Sequence, residues 1–299
     1  MGNIAFVFSG QGDQYPGMGK ELYKNYPSAA KVFELCEQIR PDTLKQCFTE
    51  TEEELKETQN TQPCLFAMEL AAATVLMELG MKPDAVAGFS LGEVVAATVS
   101  GIFDHQTGFR LVCKRGELMQ REAEKQETSM AAVVKLTTKQ VEELCDKYSQ
   151  VYPVNYNCPG QITVSGLLTQ MTEFKEEVKS MGGRALPLPV KGAFHSPFME
   201  RAARDFALEL AKENRKTNTI AIYSNRTAKP YTGEIVKLLS EQICHPVRWE
   251  ESIRNMIKDG IDTFIEIGPG KTLTNMIRKI NPEVKALTVN EYLAEVERC

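Results

Sequence analysis

This sequence is poor in the residues that build metal and redox sites. Its eight cysteines are scattered, at positions 36, 47, 64, 113, 145, 158, 244 and 299, and no two form a C-x-x-C pair. That excludes the zinc sites of common spacing and fits thiols kept reduced in a cytosol. Histidine is scarcer still, with His105, His195 and His245 the only three. No repeat or low-complexity tract interrupts the chain. Its longest apolar stretch, Cys64 to Leu79, carries Glu69 and Glu78 and is too short for a membrane span. The N-terminus enters a strand at once, without a basic leader and cleavage site, so the expectation is a cytoplasmic protein. There is no excess of positive charge either. A net charge of −5 argues against nucleic acid as a general partner. What remains is 299 residues, 42% apolar and 25% charged, enough for a full core and one or two globular, soluble domains.

One stretch organises the rest: Gly88-Phe89-Ser90-Leu91-Gly92-Glu93. An apolar run, Asp84 to Ala87, leads in, and a helical run, Val94 to Val99, leads out. Strand, Gly-x-Ser-x-Gly, helix is the pattern of a nucleophile elbow. Small residues on both sides allow the sharp turn and put the Ser90 hydroxyl at its tip. Unpaired N–H groups at the helix start can stabilise charge on an attacked carbonyl. The same pattern also suits an ordinary serine cap.

A serine needs a base. His105 reads as the first turn of a helix behind an Asp104 cap, and His245 precedes Pro246 and is biased to an extended conformation. His195 follows an apolar strand, Ala185 to Val190, and the turn Lys191 to Phe194. Sites in α/β sheets gather beyond such strand ends, so His195 is the best candidate base.

Two glycine-rich loops invite a phosphate-loop reading and fail it. Ser9-Gly10-Gln11-Gly12-Asp13-Gln14 meets neither GxGxxG nor GxxxxGK[ST]. Gly270-Lys271-Thr272 lacks the first glycine, because residue 265 is Ile. The first reads as a turn with Gln11 between two glycines, the second as a strand–helix turn with a capping Thr. Arg115 lies on a helix running from Asp104 to about Glu122, among Lys114, Arg121 and Lys125. Pattern alone does not separate it from these solvated cations.

The order of elements predicts an α/β fold in three stretches. Residues 1–128 and 191–299 read as two parts of a large domain with a parallel sheet. Residues 129–190 read as β-α-β-β-α-β, the ferredoxin-like order, inserted between them. The cleft between the domains is the natural ligand site.

Taken together, these segments resemble the malonyl-CoA–acyl carrier protein transacylases of fatty acid and polyketide synthesis. The matching residues are Phe8-Ser9-Gly10-Gln11-Gly12-Asp13-Gln14, Thr61-Gln62-Pro63, Gly88 to Glu93, Arg115-Gly116-Glu117-Leu118-Met119-Gln120, Asn155 to Gln161, Gly192-Ala193-Phe194-His195-Ser196, Pro246-Val247-Arg248-Trp249 and Glu266 to Lys271. Their order and spacing span the whole chain.

The resemblance implies an α/β-hydrolase-like large domain with the ferredoxin-like insert. It implies that Ser90 is the nucleophile and His195 the base in a dyad without a carboxylate, oriented by a backbone carbonyl near Arg248. It implies an oxyanion hole from the N–H groups of Gln11 and Leu91, and Arg115 as the grip on malonyl's carboxylate. Phe89, Asn157, Gln161, Arg184, Phe194 and Arg248 are then expected to face the substrate or CoA cleft. The implied partners are malonyl-CoA and acyl carrier protein, with no cofactor and no metal, and a monomer is the simplest assembly. Three positions depart from the family pattern. Phe89 stands where His is usual, which implies a changed pocket. Ser9 replaces Pro, which implies a looser loop. Arg248 replaces a frequent Gln, and a cation there would lower the His195 pKa.

Two other functions share these residues. A thioester hydrolase could use the same dyad, and a carrier-docking protein would need no chemistry at all. The retained Ser90, His195 and Arg115 speak for transfer.

Overall fold

The continuous apolar run at the N-terminus forms β1 (Asn3–Phe8), whose side chains are fully buried from Ala5 onward. Such a run suits a strand covered on both faces. In the computed structural model, which describes residues 2–296, β1 is the middle of a five-stranded sheet. β2 (Ala85–Gly88) and β8 (Ile261–Ile267) flank it. β7 (Ala221–Tyr223) lies beyond β2, and β9 (Lys285–Thr288) beyond β8. Every pairing is parallel, so the loops at the carboxyl ends of β1, β2 and β8 open on one edge.

Between β1 and β2 the chain forms α1 (Lys20–Asn25), α2 (Pro27–Ile39), α3 (Thr43–Phe48), α4 (Glu52–Lys56) and α5 (Thr58–Glu78). Most of α5 is buried, from Thr61 through Ala73 without a break. A helix apolar all round belongs in a core. Two helices follow the elbow, α6 (Gly92–Val99) and α7 (His105–Ala123). The Asp104 carboxylate accepts from the Thr107 N–H at 2.7 Å and caps α7 as its sequence predicts.

The insert is built as expected. It comprises β3 (Thr128–Val134), α8 (Thr138–Cys145), β4 (Val151–Cys158), β5 (Gln161–Leu167), α9 (Leu168–Ser180) and β6 (Arg184–Pro187). The strands form an antiparallel sheet in the order β4-β5-β3-β6, the ferredoxin-like arrangement. Alternation sorts its residues. Ala131, Val133 and Val164 pack with Phe174 and Val178 of α9. Ala132, Asn155, Asn157 and Thr163 face the larger domain. Val247 ties the two together: its N–H donates to Val154 and its carbonyl accepts from Tyr156, both at 2.9 Å.

The chain returns through a short 3-10 turn (Pro197–Met199) and α10 (Glu200–Lys212), then α11 (Ile235–Glu241), α12 (Trp249–Lys258), α13 (Thr272–Ile280) and α14 (Val289–Val296). The start of α13 corrects one expectation. Thr272 does not cap it. Instead the buried Glu266, on β8, accepts from the N–H groups of Leu273 at 3.0 Å and Thr274 at 2.7 Å. A carboxylate at a helix start satisfies orphan donors and meets the positive end of the dipole. Among the described residues, no helix is long and apolar enough to cross a membrane.

Candidate active site

The elbow forms because two glycines let three backbones meet. A Cβ on Gly88 would run into the Gly92 carbonyl, and one on Gly92 into the Phe8 carbonyl. Ser90, at the tip, has φ of 55°, a left-handed conformation that L-residues adopt at a cost. Its hydroxyl caps nothing: Leu91 holds the N-cap position, with no side-chain bond. The cap reading therefore fails.

The Ser90 hydroxyl meets two partners. His195 Nε2 lies 2.8 Å from Oγ, and Arg115 Nη2 donates to Oγ at 3.1 Å. His195 Nδ1 lies 2.6 Å from the Gln242 carbonyl. A carbonyl only accepts, so Nδ1 carries the proton and Nε2 is left to accept from Ser90. The family resemblance implied an orienting carbonyl near Arg248. The structure places it six residues earlier, because the turn after α11 brings Gln242 and Ile243 against His195, whose own N–H donates to Ile243 at 3.0 Å. Burial, and after it the Arg115 cation, together lower the His195 pKa from 6.5 to about 4. The imidazole is thus neutral at physiological pH and able to accept a proton.

Arg115 is completely buried, unlike Arg121 on the same helix, which stays open to solvent. Nη1 donates to Gln62 at 2.8 Å, and Nη2 also donates to Gln242 at 3.1 Å. Burial lowers its pKa to about 9, against the opposing charge of Glu93. Of its five N–H donors three are used, and Nε has no partner. A buried cation with spare donors beside a nucleophile suits a substrate carboxylate. Gln242 completes the group by donating through Nε2 to the Ser90 carbonyl at 2.9 Å. No spacing rule marks Gln242, because it works through one backbone and two side-chain atoms at once.

The Gly10–Gln11 loop lies beside the elbow, with Gly10 packed on Phe89. Among the described residues, neither the Gln11 nor the Leu91 N–H has a hydrogen-bond partner. Next to them a cleft of about 260 Å³ opens between the domains, lined by Gly10, Gln11, Phe89, Asn155, Asn157, Gln161 and Met276 among others.

Known proteins can now be set beside this geometry. Residues 5–298 match the sequence profile of the acyl transferase domain. The malonyl CoA-acyl carrier protein transacylase of Bacillus subtilis (strain 168) is 38% identical, over 97% of this chain and 94% of its own length. The corresponding crystal structure from Clostridium perfringens superposes with a TM-score of 0.94 at 36% identity, covering 99% of this chain and 98% of that one. A type II polyketide synthase transacylase, solved with its acyl carrier protein, gives a TM-score of 0.94 at 31% identity and 98% coverage of each chain. The chain belongs to the malonyl-CoA–acyl carrier protein transacylase family.

Within this transacylase fold, Phe89, Asn157 and Gln161 line the cleft. Phe89 fills its position by stacking edge-on against Trp249, ring centroids 5.5 Å apart. Arg184, Phe194 and Arg248 do not line it. Arg184 is exposed on β6, opposite Val134. Phe194 is buried in the main core. The Arg248 guanidinium pairs with Glu251 on α12 and lines a separate cavity with Tyr156 and Arg254. It is therefore Arg115, not Arg248, that lowers the His195 pKa. Ser9 does not hang loose in place of a proline either. Its N–H donates to Ile267 at 3.3 Å, and its hydroxyl donates to Glu266 at 3.4 Å.

Proposed function

We propose that this protein moves malonyl from CoA to the phosphopantetheine thiol of acyl carrier protein, through an ester on Ser90. The observation that carries the reading is the line Gln242 carbonyl, His195, Ser90, with the buried Arg115 at 3.1 Å from the nucleophile. Ser90 Oγ attacks the thioester carbonyl while His195 Nε2 takes its proton. The Gln11 and Leu91 N–H groups stabilise the oxyanion. Collapse breaks the C–S bond, and His195 returns the proton to the departing CoA thiolate. The carrier's thiol then gives its proton to His195 and attacks the ester. Ser90 leaves with that proton. Arg115 pairs the malonyl carboxylate once it leaves water, which a forked guanidinium does better than an ammonium.

Two further proposals rest on the same reading. Residues 129–190 form the inserted domain and 1–128 with 191–299 the other, which the separate sheets support. The protein works in the cytoplasm, where its substrates are made and thiols such as Cys113 and Cys244 stay reduced.

Intact-mass measurement tests the function. Malonyl-CoA should add one malonyl group to Ser90, and holo-carrier should remove it with equal gain on the carrier. Loss of the adduct to water without a gain on the carrier would make the protein a hydrolase. No adduct at all would leave it a docking partner.

A further inference from the structure

The left-handed turn at Ser90 needs something to hold it, and the hydroxyl's own contacts do not do so. The backbone is gripped elsewhere. The side-chain oxygen of Asn225 accepts from the Ser90 N–H at 2.8 Å, and its Nδ2 donates to the Gly88 carbonyl at 2.5 Å. One planar amide thus bridges the peptide groups on both sides of Phe89.

The register explains why an amide fits there. β2 and β7 pair in parallel as Ala85 with Ala221, Val86 with Ile222 and Ala87 with Tyr223. Continued past the strand ends, that register sets Phe89 opposite Asn225. In a parallel ladder a residue bonds the carbonyl before and the N–H after its opposite number. The Asn225 side chain makes that pair of bonds where the backbone has already turned away. It extends the ladder across the elbow.

The residue that carries the amide is itself held. Asn225 is 1% exposed. Its backbone N–H donates to Glu93 Oε1 at 3.1 Å, and the Tyr231 hydroxyl donates to the same oxygen at 2.6 Å. Glu93 lies in the first turn of α6, just beyond Ser90, and is completely buried. The residues before and after the nucleophile are therefore closed into one ring through Asn225.

Resting on the Ser90 mechanism above, we propose that Asn225 is the positioning residue of the nucleophile. Its amide holds the elbow in the turn that aims Ser90 Oγ at His195, and Glu93 with Tyr231 anchors the Asn225 backbone that carries the amide. Asn225 touches no substrate and acts only through Ser90.

Three variants test this: Asn225→Ala, Asn225→Asp and Ser90→Ala. In Asn225→Ala the rate of malonyl-Ser90 formation in a single turnover should fall about tenfold to a hundredfold, the usual cost of a reacting atom set about 1 Å out of place. Malonyl-CoA affinity, measured in Ser90→Ala with and without Asn225→Ala, should stay the same. Asn225→Asp supplies a signature that a merely structural role would not give. Its carboxylate keeps the acceptor for Ser90 but sets an oxygen against the Gly88 carbonyl. Protonation restores the donor. Its rate relative to the unaltered protein should therefore rise as pH falls from about 8 to about 5, above the range where His195 titrates. The ionisable groups around it are Glu93 and Tyr231, with Arg115 beyond Glu93.

A small phosphonyl fluoride gives a second readout that needs no malonyl. Ser90 Oγ forms the P–O bond, fluoride leaves, and His195 takes the proton. Asn225→Ala should react more slowly by the same factor. If the unaltered protein is phosphonylated faster than the variant yet never malonylated, the positioning role stands and the transferase reading fails. If Asn225→Ala matches the unaltered protein in both reactions, the role is overturned. It is overturned equally if rate and CoA affinity fall together, with Asn225→Asp insensitive to pH.

Discussion

The Gln242 carbonyl oxygen lies 2.6 Å from His195 Nδ1, in the place where a carboxylate would give the imidazolium an ion pair. A neutral acceptor fixes the tautomer and leaves the charged ring unsupported. Burial and the Arg115 cation then hold its pKa near 4. The acid limb of ester formation should accordingly fall near pH 4, well below the ordinary histidine value of 6.5. Replacing Arg115 by Met removes a cation that disfavours the charged ring, so the His195 pKa should rise. NMR titration of the three histidines in both proteins checks the direction. A limb at the ordinary value would mean that the site is wetter than its geometry implies.

Ser90→Ala should abolish ester formation with the fold intact, and His195→Ala should be nearly as slow. Groups that act as one unit do not add, so the double variant should be little slower than either single. Single-turnover rates of the three variants decide this. Normal loading in Ser90→Ala would sink the site.

On the proposed mechanism, Arg115 should set the choice between acyl groups. Stranding one member of a buried ion pair costs about 3–5 kcal/mol, so Arg115→Ala should lose roughly a hundred- to several-thousand-fold in kcat/KM for malonyl-CoA. Acetyl-CoA has no carboxylate. It should lose less, though not nothing, because Arg115 also bonds Ser90 Oγ and Gln242. Arg115→Lys should restore part of the malonyl rate, since it keeps the charge but not the fork. Equal losses for the two substrates would make Arg115 a support alone.

Glu69 is a buried liability in α5. Neither carboxyl oxygen has a partner, and burial with the nearby Glu266 holds its pKa well above 4.5. The native carboxyl keeps a proton that the unfolded chain releases above that value. Stability should therefore fall as pH rises from about 5 toward alkaline values. Glu69→Met removes an unsatisfied buried group and should stabilise by roughly 1–3 kcal/mol. The gain should grow with pH. Urea unfolding of both proteins across this range provides the measurement.

Carrier docking should depend on salt. Acyl carriers are acidic, yet this chain carries a net charge of −5, so attraction has to be local. Of the basic residues near the site, Lys191 lies 3.9 Å from Glu57 and Arg278 lies 3.6 Å from Glu291. Lys271 and Lys279 flank the cleft-lining part of α13. Charge reversal at these two should raise the carrier KM severalfold and flatten its salt dependence, since exposed charges are screened beyond about 8 Å. A carrier KM unchanged by salt in the unaltered protein would remove the patch.

What the sequence determined by itself is local in its physics. The run Asn3 to Phe8, the two elbow glycines, the Asp104 cap and the β-α-β-β-α-β order each follow from neighbours a few residues apart. Ser90 and His195 were legible because the elbow is a short motif and histidine is rare. Arg115 was visible only through the family resemblance, since its helix neighbours carry the same charge. Tertiary structure alone decided which arginine is buried, which carbonyl orients the base and which amide holds the turn. Gln242 and Asn225 sit on segments that contact the elbow from 152 and 135 residues away. Arg248, which the family resemblance set near His195, is turned outward to Glu251 by the start of α12. A polar side chain carries no mark of its partner in its own spacing. Only the packing of parallel strand ends brings these groups within hydrogen-bonding distance and excludes the water that would otherwise serve each of them.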